Sequence, residues 1–177
     1  MSLMKNILVI IGSAGSDSAN EKLIDNFEKL TKEFFKLTVF SDLKKLPHFD
    51  TERSINNTPP EIEDFRNSIE KADAVIICTP EYIFSIPSGL KNCLEWCVST
   101  TVFSEKPVGL ITASASGIKG HEELQLIMKT LQAKYTSETT LLIQGIKGKI
   151  NSDGEIIDNR VIENLVNFAR AFKFLVD

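Results

Sequence analysis

The stretch that decides the fold covers residues 74–92 and reads AVIICTPEYIFSIPSGLKN. It begins with an unbroken apolar run, Ala74 to Cys78, which is typical of a strand buried on both faces. A polar segment bounded by prolines, Thr79 to Pro87, comes next, and Leu90 and Leu94 then recur at helical spacing. Open α/β sheets bind their ligands at the carboxyl ends of such strands. The stretch therefore predicts a parallel sheet and a ligand site at its edge.

The alternation of strand and helix continues along the chain. Strands are predicted over Asn6 to Gly12, Phe35 to Phe40, Asp73 to Cys78, Lys106 to Ala113 and Glu138 to Ile143. Helices are predicted after a capping box at Ser18 and Glu21, after Pro59 and Pro60, and over Ser88 to Val98, His121 to Ala133 and Val161 to Leu175. The pattern predicts an α/β three-layer sandwich with a five-stranded parallel sheet. The flavodoxin-like order 2-1-3-4-5 is favoured, although a Rossmann-type half gives a similar pattern.

The composition is that of an ordinary globular chain of 177 residues, with 42% hydrophobic and 25% charged residues. We expect one domain over residues 4–177, with Met1 to Leu3 as an expression scar before Met4. The net charge of −4 gives no general attraction for nucleic acid or anionic membranes, and no apolar stretch approaches a membrane span of about 20 residues. Three cysteines in apolar surroundings favour a reducing, cytoplasmic setting.

Three polar loops follow the first, third and fourth predicted strands: Gly12 to Asn20, Thr79 to Pro87 and Ala113 to Gly120. In the order 2-1-3-4-5 these strands are neighbours, so the three loops should meet in one crevice. The first loop combines small residues, serine hydroxyls and a helix N-terminus, which favour a phosphate. Taken alone, that loop is equally well explained as a capped turn without a ligand.

Three motifs in these loops carry a resemblance to a known family. The first has the form G-S-x-R-x-x-S-x-N and is met by Gly12, Ser13, Ser18 and Asn20. The second, P-E-Y-N-x-S-x-P-x-x-L-K-N, is met by Pro80, Glu81, Tyr82, Ser85, Pro87, Leu90, Lys91 and Asn92. The third is a turn containing Ser114, Ser116, Gly117 and Gly120. Nearly the whole chain resembles the NADPH-dependent FMN reductases, a flavodoxin-like branch that includes quinone, azo-dye and chromate reductases.

The resemblance implies an FMN-dependent NAD(P)H oxidoreductase that transfers a hydride from NADPH to the flavin and on to free flavin, a quinone or a similar small-molecule acceptor. It places the FMN phosphate at Ser13, Ser18, Ala19 and Asn20, and one edge of the flavin ring at backbone groups of Pro80, Glu81, Tyr82 and Ile83. Ser114, Ser116 and Gly117 are expected on the other side of the ring. The cofactor carries such chemistry, so no catalytic side chain and no metal are expected. A homodimer or homotetramer is also implied.

Two departures from the motifs bear on affinity. Gly15 replaces the arginine of the first motif, and Asp17 places a negative charge in the same loop. Ile83 replaces the asparagine of the second motif and is followed by Phe84. We therefore predict weaker FMN binding than in close family members. A flavin-binding electron carrier or sensor without nicotinamide activity, or a protein that binds no flavin, are the alternatives that these departures leave open.

Other chemically active residue types have simpler explanations. Cys93 and Cys97 lie four apart in a predicted helix, where buried packing is favoured over a metal or redox pair. His48 and His121 are expected to be solvated or to cap elements. Trp96 is compatible with a subunit interface or with the core.

Overall fold

A computed structural model describes residues 4–15 and 17–177. Residues 1–3, interpreted above as an expression scar, lie outside the described residues. The strands are β1 Lys5–Ile11, β2 Phe35–Phe40, β3 Ala74–Thr79, β4 Val108–Ser114 and β5 Thr140–Gln144. The helices are α1 Ala19–Thr31, α2 Pro60–Lys71, α3 Ser88–Glu95, α4 Ile118–Thr130 and α5 Asn159–Val176.

The five strands form one parallel sheet in the order β2-β1-β3-β4-β5, as the sequence predicts. The order of pairing reverses between β1 and β3, because β2 lies on one side of β1 and the later strands lie on the other. This is the position at which an open α/β sheet leaves a crevice beyond its carboxyl edge. The fold is therefore flavodoxin-like rather than a Rossmann-type half.

Helices cover both faces of the sheet. Alternate residues of β3 face opposite sides, so that Val75 and Ile77 pack with α2, α3 and α4, while Ile76 and Cys78 pack with α1 and α5. Every residue of β3 is buried, which explains the absence of apolar–polar alternation in its sequence. The result is a three-layer sandwich with the crevice at one end.

Several boundaries differ from the prediction by two or three residues. α3 ends at Glu95 rather than Val98, although Trp96 and Cys97 beyond it stay buried and so continue the apolar pattern. α5 begins at Asn159 because the Asp158 carboxylate accepts hydrogen bonds from the first-turn amides. The capping box at the start of α1 is present as predicted.

The long connection between β2 and α2 is anchored by Arg66 of α2. Its guanidinium donates to the Ser54 hydroxyl at 2.9 Å and to the Ser54 carbonyl at 3.2 Å, and its Nε donates to the carbonyl of Trp96 at 3.0 Å. Trp96 in turn donates from its indole nitrogen to the carbonyl of Pro47. Trp96 is fully buried, so its position is the core and not an exposed surface of this chain.

Candidate functional site

A cavity of about 780 Å³ opens at the carboxyl edge of the sheet. Its walls come from the segments that follow β1, β3, β4 and β5. The volume lies within the range of roughly 300–1,000 Å³ that is common for cofactor and small-molecule sites. The three loops after β1, β3 and β4 thus meet in one cavity, as predicted. A fourth segment, residues 145–151, also lines it and was not predicted from the sequence.

The predicted binding residues fall into two groups. Those that line the cavity are Ser13, Ser18, Ala19, Asn20, Pro80, Tyr82 and Ser114. Those that do not line it are Glu81, Ile83, Ser116 and Gly117. The second group lies in the same loops, but Ile83 and Ser116 are exposed to solvent, and the Gly117 amide donates a hydrogen bond to the Glu81 carboxylate. Their assignment to the cofactor stays a prediction.

The start of α1 forms one end of the cavity. Ser18 caps the helix: its hydroxyl oxygen accepts from the Glu21 amide at 3.2 Å, and the Glu21 carboxylate accepts from the Ser18 amide at 2.9 Å. Asn20 is buried, and its side chain donates to the carbonyl of Ala113 at 3.2 Å and accepts from the Cys78 thiol at 3.3 Å. The Asn20 side chain therefore holds α1 against the central strands.

Charged side chains surround this end of the cavity. Lys22 and Asp17 line it together and form an ion pair of 3.2 Å, so the negative charge that Asp17 places in this loop has a cationic partner. Lys147 lines the same cavity. The sequence could have predicted this part of the site, because Gly145, Lys147 and Gly148 follow the fifth strand and so lie at the same edge of the sheet.

The second motif forms a tight hairpin at the rim. Tyr82 and Ser85 exchange two backbone hydrogen bonds of 2.9 and 3.0 Å across the two central residues, Ile83 and Phe84. Both central residues have positive φ, 51° and 58°, as a type I′ turn requires. Ile83 is 95% exposed and Phe84 is 75% exposed. The apolar residues that interrupt the motif thus project from the rim, while Tyr82 lines the cavity.

The Glu81 carboxylate connects the hairpin to the beginning of α4. Its two oxygens accept from the amides of Gly117 at 3.1 Å and Gly120 at 2.8 Å. Gly117 has a φ of +84° and immediately precedes α4, so Glu81 supplies the anion that a helix N-terminus favours. The side chain of Glu81 therefore acts within the protein, which leaves only its backbone for the cofactor contact that the resemblance implies.

A smaller cavity of about 420 Å³ adjoins the first. It shares Ser13 and Tyr82 with the larger cavity and is bordered by Lys44 and His48 from the long connection and by Ser88 at the start of α3. Tyr82 thus lines both cavities. His48 is solvent-exposed here, as the sequence predicts.

The cysteines and His121 lie within the fold and line neither cavity. The three cysteines are free and buried, and burial raises the pKa of the Cys97 thiol to about 12. His121 is only partly exposed, and its Nδ1 and the Thr112 hydroxyl are hydrogen-bonded at 2.8 Å, so the expectation of a solvated or capping histidine is wrong. No cluster of metal-ligating side chains and no helix suited to crossing a membrane occurs among residues 4–15 and 17–177.

Comparisons with known proteins agree with this geometry. Residues 5–147 match the family model described as NADPH-dependent FMN reductase. The chain is 29% identical over 173 residues to the NADH:(hydroxy)cinnamate reductase subunit CrdA of Vibrio ruber, covering 94% of this chain and 85% of that protein. It is 27% identical over 180 residues to a quinone reductase of Escherichia coli, covering 97% and 95%.

A solved structure shares the architecture. FerB, a flavoenzyme NAD(P)H:(acceptor) oxidoreductase from Paracoccus denitrificans, superposes with a TM-score of 0.85 at 24% identity, covering 98% of this chain and 97% of that chain. This likeness supports the flavodoxin-like fold. Because the family match spans most of the sequence and all the strands, the chain belongs to the NADPH-dependent FMN reductase family and is an NAD(P)H-dependent oxidoreductase with FMN as its cofactor.

Proposed function

We propose that the 780 Å³ cavity holds FMN, with the phosphate at the start of α1 and the flavin ring beside the Tyr82 hairpin. The observation that carries this proposal is that a capped helix N-terminus, serine hydroxyls and Lys147 line the same cavity as Pro80 and Tyr82. Helix N-termini and cations favour a phosphate, and a less polar wall favours a ring.

The residues of the chain bind and orient the cofactor in this proposal. Bound FMN supplies the redox chemistry between NAD(P)H and an acceptor. The hydroxyls of Ser13 and Ser18 can donate hydrogen bonds to the phosphate and the Lys147 ammonium offsets its charge, while Lys22 offsets the charge of Asp17. Backbone groups from Pro80 to Ile83 and the segment from Ser114 to Gly117 hold the ring on its two sides. No side chain has to act as a general acid, base or nucleophile.

The adjoining 420 Å³ cavity offers a place for the second reactant. It meets the first cavity at Tyr82, so a nicotinamide or an acceptor entering there approaches the proposed ring position. Lys44 and His48 at its border suit the phosphates of NAD(P)H. We propose quinones or free flavins as acceptors, since a relative that the chain matches over nearly its full length is a quinone reductase.

The test is binding followed by turnover. The absorbance spectrum of the purified protein is recorded before and after FMN is added, and NADPH oxidation is then followed with a quinone acceptor. We expect FMN binding and acceptor-dependent oxidation. FMN binding without NADPH oxidation would instead favour an electron carrier or sensor, and the absence of binding at high micromolar FMN would refute the proposed cofactor site.

A pair of lysine variants tests the phosphate end. Lys147→Ala removes a lysine that lines the cavity, and Lys129→Ala removes an exposed lysine near the end of α4. We expect Lys147→Ala to weaken FMN binding several-fold and to leave riboflavin binding unchanged, because riboflavin has no phosphate. An equal loss for both ligands, or an equal effect of Lys129→Ala, would place the phosphate elsewhere.

We further propose that one domain over residues 4–177 assembles as a homodimer or homotetramer in the cytoplasm. The exposed apolar tip of Ile83 and Phe84 supports self-association, and three free, buried cysteines suit a reducing compartment. Light scattering of the eluting protein measures the mass directly. A monomer at micromolar concentration would contradict the assembly, and Phe84→Ser should shift a dimer toward the monomer.

A further inference from the structure

The hairpin at the rim is held from both sides by carboxylates. Before the hairpin, Glu81 reaches the amides at the start of α4. After it, Glu123 of α4 accepts from the Ser85 hydroxyl at 2.6 Å and from the Ile86 amide at 3.1 Å, both through the same oxygen, Oε2. The two ends of the turn are thus fixed to one helix by four hydrogen bonds to charged acceptors. Bonds of this kind are roughly twice as strong as those between neutral groups.

These hydrogen bonds hold a turn whose backbone conformation is energetically unfavourable. Ile83 and Phe84 have side chains at positive φ, a region that costs such residues about 1–2 kcal/mol each. Both side chains are largely exposed, so packing of the tip does not compensate for the cost. Strained turns persist only where the surrounding structure holds them. This turn is held by the backbone hydrogen bonds between Tyr82 and Ser85 and by the carboxylates of Glu81 and Glu123.

We propose that Glu123 is a positioning residue for the flavin ring. It fixes Ser85, the closing residue of the hairpin, and thereby sets where Tyr82 and Pro80 stand in the cavity wall. Glu123 itself does not line either cavity, so it acts through the hairpin and not by touching the cofactor. The inference rests on the proposed placement of FMN beside Tyr82.

The chain offers a matched set of variants. Glu123→Ala removes the acceptor, whereas Glu123→Gln keeps an amide oxygen where Oε2 accepts both bonds. Glu122→Ala is the control, because Glu122 is the adjacent residue of α4 but is exposed and pairs with Lys119 instead of the hairpin. All three are examined without FMN by hydrogen exchange and with FMN by titration and flavin fluorescence.

Without FMN, we expect Glu123→Ala to speed hydrogen exchange of the Tyr82 and Ser85 amides, Glu123→Gln to speed it less because it keeps the acceptor without the charge, and Glu122→Ala to stay close to the native protein. With FMN, Glu123→Ala should raise the dissociation constant up to about tenfold and alter the quenching of flavin fluorescence, because two hydrogen bonds that hold the hairpin are lost and FMN binding must then order the hairpin itself. Glu123→Gln, which keeps the acceptor oxygen without its charge, should restore both properties in part.

Two results would overturn the inference. A lower melting temperature of Glu123→Ala with unchanged FMN affinity and fluorescence would reduce Glu123 to a stabilising residue. Unchanged exchange of Tyr82 and Ser85 would show that it does not hold the hairpin at all. If the native protein fails to bind FMN, the proposed cofactor site is wrong. The hydrogen-exchange data, recorded without FMN, then still show whether Glu123 holds the hairpin.

Discussion

Gly15 is the residue whose replacement should change cofactor affinity most. A Cβ built on Gly15 meets no described atom within 4 Å, so a side chain fits there without rearrangement. Gly15 also lines the cavity near Asp17 and Lys22, at the proposed phosphate end. The first motif has arginine at this place, and an arginine can bind a phosphate through two parallel hydrogen bonds.

We predict that Gly15→Arg tightens FMN binding about tenfold to a hundredfold, in line with the 1.5–3 kcal/mol of a hydrogen bond to a charged group. Gly15→Ala is the matched control, because it adds a side chain without charge and should leave the affinity near the native value. Equilibrium titration by fluorescence measures both. Equal affinity of the arginine and alanine variants would show that the phosphate does not lie beside residue 15.

The β-branched side chain of Ile83 is poorly suited to the backbone conformation at this position. It combines a β-branched side chain with a φ of 51° and is almost fully exposed. Asparagine tolerates this region, favours type I′ turns and stands here in the second motif. We predict that Ile83→Asn raises the free energy of unfolding by about 1 kcal/mol. Ile83→Ala keeps the unfavourable φ and should gain less, and a loss of stability in Ile83→Asn on denaturation would refute the strain argument.

At the scale of one element, α4 joins the site to the core. Glu81 binds the Gly117 amide just before the helix and the Gly120 amide in its first turn, and Glu123 lies about one turn later. On the inner side, His121 pairs with Thr112 of β4. Burial lowers the pKa of His121, and this effect outweighs the opposing field of Glu122. The helix therefore holds His121 against β4 in surroundings that disfavour the protonated imidazole.

This pKa shift predicts a loss of stability in acid. Because the pKa of His121 is lower in the folded than in the unfolded chain, the proton binds more tightly to the unfolded chain. The contribution of His121 to the free energy of unfolding is complete above its pKa of about 6.5 in the unfolded chain. It is lost as the pH falls through its lower pKa in the folded protein. Urea denaturation between about pH 5 and pH 8 measures it. The native protein should lose more stability on acidification than His121→Gln, and parallel curves for the two would contradict the shift.

At the scale of the whole molecule, binding of FMN should stabilise the entire fold. The cavity is built from segments after four of the five strands, so occupancy joins elements that are far apart in the sequence. A ligand present at about 100 times its dissociation constant contributes about 2.7 kcal/mol to a fold that binds it only when folded.

For a chain of 177 residues this corresponds to a rise in melting temperature of about 5–10 °C. Thermal denaturation with FMN, with riboflavin and without ligand measures the effect. Riboflavin at the same concentration should raise the melting temperature less, because it lacks the phosphate. Equal shifts for the two ligands would show that the phosphate end of the cavity contributes nothing to affinity.

Prediction from the sequence succeeded where the signal is local. The unbroken apolar run of β3 identifies a strand buried on both faces, and Ser18 with Glu21 identifies the start of α1. Prediction was less accurate at boundaries such as the end of α3, where burial of Trp96 and Cys97 extends the apolar pattern beyond the helix itself. It missed Lys22 and Lys147 because their roles depend on which segments meet in space.

The sequence by itself determined the layers, the favoured strand order and the family, because buried periodicity and the second motif are properties of contiguous residues. Only the tertiary structure decided how the motif residues are used. Asn20 and Glu81 bind other parts of the protein with their side chains, and Glu123, unremarkable in the sequence, holds the hairpin. A buried or partly buried polar group takes whatever partner the packing brings within hydrogen-bond distance, and residues 20, 81 and 123 find theirs more than 30 positions away.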